Sequence, residues 1–509
     1  MPKKYGNMTK FSVTVLQYSH ICVIVRAYHI FEENLSMQNE LKSKKWDEIE
    51  EKYGDGVRHA LSALFNYYDG IKIAEWVCSL YDPETGGFYY SRSARDAEGY
   101  APDLESTSQA LSVLSEVGAV PTDKIADIIP ADVRDGLIDF VRKRQSPIDG
   151  YFYHPQWPVG KEKLATDRYG RDIGNATSVL RRVPDASGKF ALPYYCTVNG
   201  KKCEKHADGE CTCSFPIPLS ERMDTVIVHE ESEPAEIGAQ PAVKSGSHPV
   251  YTSREDFIAW LEEYNASIHK DSGRAHNLAA ISEEIAMHGY ADDLIEHLNR
   301  KQKELFEEQQ ALGEEIRGIW QRDINYKAVW GTYKYTFIYN RYGKALDLKY
   351  VPYMVKTCLE VIKLPPLKNY AYNDLMNQWS AIGTIIQNVR THYGQEEADK
   401  IHAMVRTDAA SLIENSLAKM LPFKMEDGAF CNSVNGFTSP VIYGTPIAVG
   451  GCAEGNMNST HILLCMYYSI CGVLGCPSVP LCDESAAEQV MKMLADKKSA
   501  YLADKHDAK

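Results

Sequence analysis

The sequence predicts an all-α protein, and two patterns lead to this fold class. Apolar residues recur at spacings of three and four over most of the chain, which is the period of a helix that buries one face. A glycine followed by an aromatic residue recurs ahead of several of these segments, as GGFYY at 86–90, DGYFY at 149–153, GIW at 318–320 and DGAF at 427–430. Together the two patterns indicate repeated helix-turn units.

The apolar periodicity places the helices along the chain. In order, they are predicted at 56–80, 104–118, 123–144, 253–267, 274–288, 290–312, 326–342, 350–363, 371–393, 396–420, 458–475 and 484–504. Short strand-like pieces such as FYYSRS, YFYH and ERMDTVIVHEE predict β-hairpin insertions. The stretch at 184–250 combines prolines, glycines and charges with little periodicity, so it is predicted to be an irregular insertion.

The N-terminal segment is predicted to lie outside the fold. Its apolar stretch at 11–31 contains Gln17, His20, Arg26 and His29, and no small-residue cleavage site follows it. It is therefore a poor signal peptide and a poor membrane span. We expect residues 1–36 to be a non-native extension and residues 37–509 to form a single domain. Without an export signal, we expect a cytoplasmic protein, with no membrane partner, whose 13 cysteines stay reduced.

The charge and the tyrosine content narrow the choice of partner. Lysine and arginine number 55 against 69 aspartates and glutamates, so the net charge of −14 repels a polyanion and predicts no nucleic-acid partner. The chain holds 32 tyrosines but only 14 phenylalanines. Because tyrosine joins an aromatic ring to a hydroxyl, this content favours a cavity that binds a carbohydrate or another small molecule.

Each glycine-aromatic turn leads to a helix start that is rich in Ser, Thr and Asn. DLESTSQALSVLSEVG begins at Asp103, DIGNATSVLRRV at Asp172 and EGNMNSTHILLCMYYSICGVLG at Glu454, whereas GIW runs into its helix with almost no loop. Helix-turn units that cannot bury their own faces must stack on their neighbours. The repeat therefore predicts a solenoid or a closed ring.

The spacing of these turns before a helix, over roughly residues 55–475, resembles the repeat of the α/α toroids. Terpenoid cyclases, protein prenyltransferase β subunits and several polysaccharide lyases share that fold. The resemblance implies two concentric rings of helices around a central cavity, with helix N-termini and their preceding loops at its mouth. The expected fold is thus an α/α toroid with short β-hairpin insertions.

The isoprenoid branches of this superfamily carry motifs that the sequence lacks. The Asp-x-Asp-Asp acid of proton-initiated cyclases is absent, and its nearest counterpart, DLE at 103–105, is typical of a helix N-cap with an acid in the first turn. His461 in NSTHILLCMYYSICG is similar to the histidine-bearing helix of prenyltransferases, but the Asp-x-Cys partner for their zinc is absent.

The lyase branch implies a base, an acid and charge-stabilising donors at the cavity mouth. The candidate catalytic residues are His154, Tyr326 and His461. The candidate substrate-binding residues are Glu105, Tyr151, Trp157, Arg171, Asp172, Asn175, Trp320, Trp330, Lys334 and Asn458. The leading hypothesis is a lyase that cleaves a uronate-containing poly- or oligosaccharide by β-elimination, without a catalytic cofactor. The alternatives are an isoprenoid enzyme and a non-catalytic toroid that binds a glycan or a protein.

Several of these candidates also have a structural interpretation. His154 precedes a proline and would cap its turn, and His461 would be a satisfied buried histidine. Arg171 and Asp172 would form an ion pair that holds the preceding loop. Three candidates spaced four apart on one helical face would form a packing stripe: Tyr326, Trp330 and Lys334.

A cysteine-rich loop predicts a structural zinc site. CTVNGKKCEKHADGECTC at 196–213 supplies His206 and four candidate ligands, Cys196, Cys203, Cys211 and Cys213. Tetrahedral zinc takes four cysteines, or three cysteines and a histidine. The loop has one Cys-x-Cys and no Cys-x-x-Cys, so unligated thiols are the alternative. A zinc here would brace the insertion.

Overall fold

The computed structural model describes the helical body and leaves two predicted regions outside. The described residues are 42–120, 124–144, 152, 154, 162–183, 197–198, 201–202, 253–442 and 445–507, with the backbone alone at 162–170, 197–198, 201–202, 287, 376, 441–442, 445, 484 and 506–507. The predicted extension at 1–36 and nearly all of the predicted insertion at 184–250 lie outside these residues.

Helices dominate the described residues, and the all-α prediction is confirmed. Among these residues no helix combines the length and the apolarity that a membrane span requires. In chain order the helices are α1 at 42–53, α2 Asp55–Tyr67, α3 Gly70–Ser79, α4 Arg92–Asp96, α5 Leu104–Glu116, α6 Ile125–Ile128, α7 Ala131–Arg144, α8 Glu162–Arg182, α9 Arg254–Tyr264, α10 Gly273–Ala280, α11 Ser282–Met287, α12 Ala291–Leu312, α13 Tyr326–Arg341, α14 Val351–Lys363, α15 Asn373–Tyr393, α16 Gln395–Arg406, α17 Ala409–Met420, α18 Met457–Leu474 and α19 Glu484–Asp507.

Extended structure is limited to short pieces in the described part of the chain. Strand β1 (Thr197–Val198) pairs antiparallel with β2 (Lys201–Lys202), and β3 (Val441–Ile442) pairs with β4 (Thr445–Pro446). The predicted strand FYYSRS forms only isolated bridges, which join Phe88 to the residues at 81 and 103. The predicted strand ERMDTVIVHEE lies outside the described residues.

Several predicted helix boundaries differ from the structure, and the segments predicted as single helices at 123–144, 274–288 and 396–420 each form two helices. The segment at 56–80 divides into α2 and α3 because Tyr68 is extended and the Asp69 side chain caps the new helix by accepting a hydrogen bond from the Lys72 N–H at 3.1 Å. The sequence predicts that a helix starts at Asp172. This prediction is wrong, because that helix, α8, begins at Glu162. Among the side chains of this segment that the structure describes, the buried apolar ones are Ile173, Ala176, Val179 and Val183, the last just beyond the helix.

Six helices contact one another in cyclic order. Helix α5 packs against α8, α8 against α10, α10 against α13, α13 against α15 and α15 against α18, and α18 returns to α5. We call these six the cycle helices. Helices between them in sequence, such as α7, α14 and α16, each contact one or two members of the cycle. The first and last helices also meet, because α2 contacts α17 and α19 contacts α3.

Glycine-aromatic motifs in the described residues form turns with a left-handed glycine and a buried aromatic ring. Gly86 has a φ of 86°, and the turns at 318 and 428 also have positive φ, of 69° and 88°. Glycine adopts this backbone region without steric cost. The aromatic residue two positions after each glycine is at most 1% exposed: Phe88, Phe152, Trp320 and Phe430. The four rings are thus packed into the core beside the turns.

Candidate functional site

Side-chain caps fix the first turns of two cycle helices. Helix α5 starts after Asp103, whose carboxylate accepts a hydrogen bond from the Ser106 N–H at 2.9 Å. Helix α18 starts in the same way after Asn456. An N-cap satisfies a backbone donor that has no partner within the helix, so it holds the first turn in place. These two first turns contain Glu105 and Asn458.

Glu105 forms a two-point ion pair with Arg171 of α8. The Arg171 Nε donates to Glu105 Oε2 at 2.7 Å, and Nη2 donates to Oε1. The Glu105 carboxylate is buried, and a buried carboxylate is costly unless a cation and hydrogen bonds compensate it. Burial acts to lower the pKa of Arg171, but the charge of Glu105 outweighs it and raises that pKa above its ordinary value. The guanidinium of Arg171 therefore stays charged.

A chain of amide hydrogen bonds extends this pair across three helices. Gln109 Nε2 donates to Glu105 Oε1 at 3.2 Å and to Asn458 Oδ1 at 2.9 Å. Asn458 Nδ2 donates in turn to the hydroxyl oxygen of Tyr372, which immediately precedes α15, at 2.5 Å. Burial raises the pKa of Tyr372 well above its ordinary value. Tyr372 therefore remains a protonated hydroxyl that can donate to a ligand.

Lys334 of α13 lies within the electrostatic reach of this network. Burial lowers the pKa of Lys334 to about 7, with Arg171 adding to the decrease and Glu105 opposing it. The side chain nevertheless keeps some accessible surface. Near neutral pH the amine is thus divided between its charged and neutral forms.

A histidine and a tryptophan accompany Lys334. The ring of His276, in α10, is centred 4.8 Å from that of Trp330, which lies one turn before Lys334 on α13. Burial, Lys334 and Arg171 together hold the pKa of His276 well below its ordinary value, so its imidazole is neutral at physiological pH. Both rings keep partial exposure. We call the whole group the Arg171 cluster: Glu105, Gln109, Arg171, His276, Trp330, Lys334, Tyr372 and Asn458.

The Arg171 cluster brings together half of the predicted substrate-binding residues: Glu105, Arg171, Trp330, Lys334 and Asn458. Asp172 is buried beside it and acts on the pKa of Arg171. Arg171 forms a two-point ion pair with Glu105, and its predicted ion pair with Asp172 stays a prediction. Asn175 lies one turn further along α8.

Two predicted site residues make contacts that pack helices. The Tyr326 hydroxyl lies 2.8 Å from the carbonyl oxygens of both Leu364 and Pro365, just beyond the end of α14. The Trp320 indole N–H donates to the Leu298 carbonyl oxygen at 2.9 Å, and its ring is fully buried. These contacts join α13 and its preceding turn to α14 and α12.

Most of the remaining predicted residues lie outside the described part of the chain. His154 is described and buried. Tyr151 and Trp157 lie outside the described residues, as do the predicted zinc ligands Cys196, Cys203, Cys211 and Cys213. The catalytic roles of His154, Tyr326 and His461 remain predictions.

His461 belongs to a second polar group, at the other end of α5. Its Nε2 lies 3.3 Å from Glu116 Oε1, and the thiol of Cys465 donates to the same oxygen at 3.0 Å. Burial raises the pKa of the Cys465 thiol well above its ordinary value, and the Glu116 carboxylate raises it further. We call Glu116, His461 and Cys465 the Cys465 trio.

Sequence reasoning missed several members of both groups, although a simple signal was present. Gln109 follows Glu105 by four residues, and Cys465 follows His461 by four residues, so each shares a helical face with a residue already selected. Tyr372 and His276 carried no comparable signal, because their place depends on how α15 and α10 pack.

Comparison with family models, with curated proteins and with solved structures finds no match to this chain. A functional assignment therefore depends on chemistry. The Arg171 cluster combines an amine that is neutral in part at pH 7, a protonated phenol, amide donors and a bound guanidinium. Such a set can accept a proton, donate a proton and stabilise developing negative charge.

Proposed function

We propose that the cycle helices form the inner ring of an α/α toroid, with the Arg171 cluster inside it. The cyclic order of contacts supports this arrangement, because an open stack of helices would leave its two ends apart. The alternation in sequence between cycle helices and other helices also supports it. In such a ring, Arg171, Lys334, Tyr372 and Asn458 come from four different inner helices or their starts.

We further propose that the protein is a carbohydrate-active enzyme, a lyase that cleaves a uronate-containing poly- or oligosaccharide by β-elimination. One observation carries this proposal. Lys334, with its depressed pKa, shares a desolvated neighbourhood with the Arg171–Glu105 pair and the hydrogen-bonded Tyr372–Asn458 pair. Base, acid and charge stabilisation are the three functions that elimination requires.

The proposed reaction assigns one step to each group. The neutral amine of Lys334 takes the proton from the carbon beside the uronate carboxylate, and the C–H electron pair forms the new double bond. The bond to the leaving glycosidic oxygen breaks, and the Tyr372 hydroxyl donates its proton to that oxygen. Arg171 and Asn458 donate hydrogen bonds to the carboxylate as it gains charge, and Trp330 stacks on the C–H face of the sugar ring. Proton return from Lys334 to Tyr372 through water completes the cycle.

A survey of uronate polysaccharides tests this proposal. We expect the full chain to release products with the ultraviolet absorbance of a carbon–carbon double bond conjugated to a carboxylate. Lys334→Met should lower kcat by roughly 10²- to 10⁴-fold, the usual contribution of a general base. The matched control is Lys419→Met, because Lys419 is also buried with a lowered pKa of about 8, yet its amine donates to the Ile362 carbonyl oxygen elsewhere in the fold.

The pH profile has a predicted sign. A base must be deprotonated to act, so kcat/KM should rise with pH and level off above about 7, where Lys334 has lost its proton. Tyr372 should cause no fall in rate over the alkaline range in which the fold is stable, because its pKa is raised. A rate that falls as pH passes upward through 7 would contradict the assignment of Lys334.

The other two functions give different results in the same experiments. A co-purified isoprenoid, identified by mass spectrometry, would favour the terpenoid or prenyl alternative. Glycan binding that survives Lys334→Met and the double change of His154 and His461 to alanine, with no turnover by the parent chain, would favour a non-catalytic toroid. Absence of both unsaturated products and new reducing ends across the panel would overturn the lyase proposal.

A further inference from the structure

The Cys465 trio places three metal-ligating side chains together. His461 and Cys465 lie one turn apart on α18, and Glu116 is the last residue of α5. One ligand atom from each lies within 4.8 Å of the other two, with 3.3 Å between His461 Nε2 and Glu116 Oε1 and 3.0 Å between Cys465 Sγ and that oxygen. The trio therefore links α5 to α18, the pair of helices whose contact completes the cyclic order.

These separations are close to those of a tetrahedral metal site. Ligands that bind zinc at about 2.0–2.3 Å are roughly 3.3–3.6 Å from one another. The distances of 3.3 Å and 3.0 Å to Glu116 Oε1 are at or a few tenths of an ångström below that range, so small side-chain rotations would open the trio around an ion.

Two further atoms of the trio lack hydrogen-bond partners among the described residues. Glu116 Oε2 and His461 Nδ1 are both buried and unpartnered. A buried carboxylate oxygen without a donor carries a desolvation penalty that a bound cation would remove. The nearby cation Arg182 does not provide a direct contact, because its guanidinium donates to Ser112 Oγ at 2.9 Å and to Ser178 Oγ at 2.8 Å.

We propose that Glu116, His461 and Cys465 form a binding site for a divalent cation of the zinc class, with the fourth ligand position open to solvent. A thiolate, an imidazole and a carboxylate together suit zinc and disfavour magnesium or calcium, which take oxygen ligands. The His461 and Glu116 side chains remain 22% and 23% exposed, so solvent reaches part of both ligand residues. Three protein ligands plus water is the arrangement of reactive zinc sites.

The proposed site is separate from both other candidate sites. Glu105 and Glu116 lie on the same helix, roughly 16 Å apart at about 1.5 Å of rise per residue. Failure of the lyase proposal would thus leave the metal proposal standing. The predicted zinc loop at 196–213 contributes none of the three ligands, so its cysteines can be removed independently.

The experiment measures metal binding by the full chain. The four loop cysteines are first changed to serine, and zinc is then measured by mass spectrometry after purification and after equilibration with zinc. We expect about one zinc per chain. With cobalt as the probe, we expect a thiolate-to-cobalt charge-transfer band and the intense visible bands of a tetrahedral site.

Single substitutions in the same background decide whether the trio holds the ion. Cys465→Ser should abolish the charge-transfer band, and His461→Gln and Glu116→Gln should each weaken zinc binding by more than the roughly 10- to 100-fold that loss of an outer-shell partner costs. The matched control is Cys452→Ser, because Cys452 is also free and partly exposed but lies outside the trio. Circular dichroism checks that each variant keeps its helical content.

The alternative is a hydrogen-bonded trio that binds no ion. No zinc uptake by the loop variant, or a charge-transfer band that persists after Cys465→Ser, would overturn the proposal. Zinc that is present in the parent chain and lost only with the loop cysteines would overturn it as well. If Cys465→Ser does not fold, Glu116→Gln and His461→Gln decide the matter through zinc affinity alone.

Discussion

At the scale of single residues, Gly86 shows how the recurring turn is constrained. Its φ of 86° lies in the left-handed region, and a Cβ placed on it would come within 2.1 Å of the Gly136 carbonyl oxygen in α7. The turns at 318 and 428 meet α14 and α3 in the same manner. Each turn thus lies directly against the backbone of a neighbouring helix, which excludes any side chain.

Gly86→Ala should therefore destabilise the fold more than an ordinary positive-φ substitution. We expect a loss of about 3 kcal/mol or more, since overpacking costs roughly 1–3 kcal/mol and the left-handed backbone adds about 1–2 kcal/mol. The control is Gly99→Ala, because Gly99 has a φ of 84° but no atom within 4 Å of its added Cβ. Urea unfolding followed by circular dichroism measures both. Equal losses would show that the close approach to α7 has no energetic weight.

At the scale of elements, the same turns are tied to the cycle helices that follow them. The Phe88 N–H donates to Thr107 Oγ1 at 3.0 Å, and the Phe430 N–H donates to Thr460 Oγ1 at 3.0 Å. Each threonine lies four residues after the N-cap of its helix, α5 or α18. The repeat therefore preserves a specific hydrogen bond as well as a spacing of glycine and aromatic residues.

Removing this hydrogen bond should weaken the junction between turn and helix. Thr107→Val and Thr460→Val keep the side-chain shape but leave a buried N–H unpaired, so each should cost about 1–3 kcal/mol. Thr332→Val is the matched control, because the buried Thr332 hydroxyl only donates to the Ala328 carbonyl within its own helix, at 3.0 Å. Thermal and urea unfolding give the comparison. A control that loses as much stability as the other two would exclude the proposed role of the junction.

Helices and their buried turns were predictable from the sequence because periodicity and glycine chemistry are local. Contacts between side chains that are far apart in sequence were not predictable. Glu105 and Arg171 were both selected as candidates, yet their ion pair joins residues 66 positions apart and depends on how α5 packs on α8. Tyr326 and Lys334 share a helical face, but they lie two turns, roughly 12 Å, apart and so meet different neighbours. Sequence spacing predicts that two residues share a helical face, but it does not identify the residues that pack against that face.

At the scale of the whole molecule, the last helix completes the packing of the first ones. The Lys497 amine of α19 donates to the carbonyl oxygens of Cys78 and Ser79 at the end of α3, at 3.1 and 2.7 Å. Helix α19 also packs against α7. In an open solenoid each unit contacts only its neighbours in sequence. Contact between the two ends of the chain instead couples their stabilities.

This coupling predicts that a destabilising substitution in α19 also destabilises α3. Leu494→Ala, at a fully buried position of α19, should cost about 2–5 kcal/mol by leaving a cavity. Because that cavity lies in a helix that covers α3, we expect faster hydrogen exchange in residues 70–79, far away in sequence. Leu502→Ala is the control, since Leu502 lies on the same helix and is 45% exposed. Exchange measured by mass spectrometry discriminates the two architectures. If the faster exchange stays within residues 457–507, α3 and α19 are energetically independent, and that result would contradict the proposed closed ring.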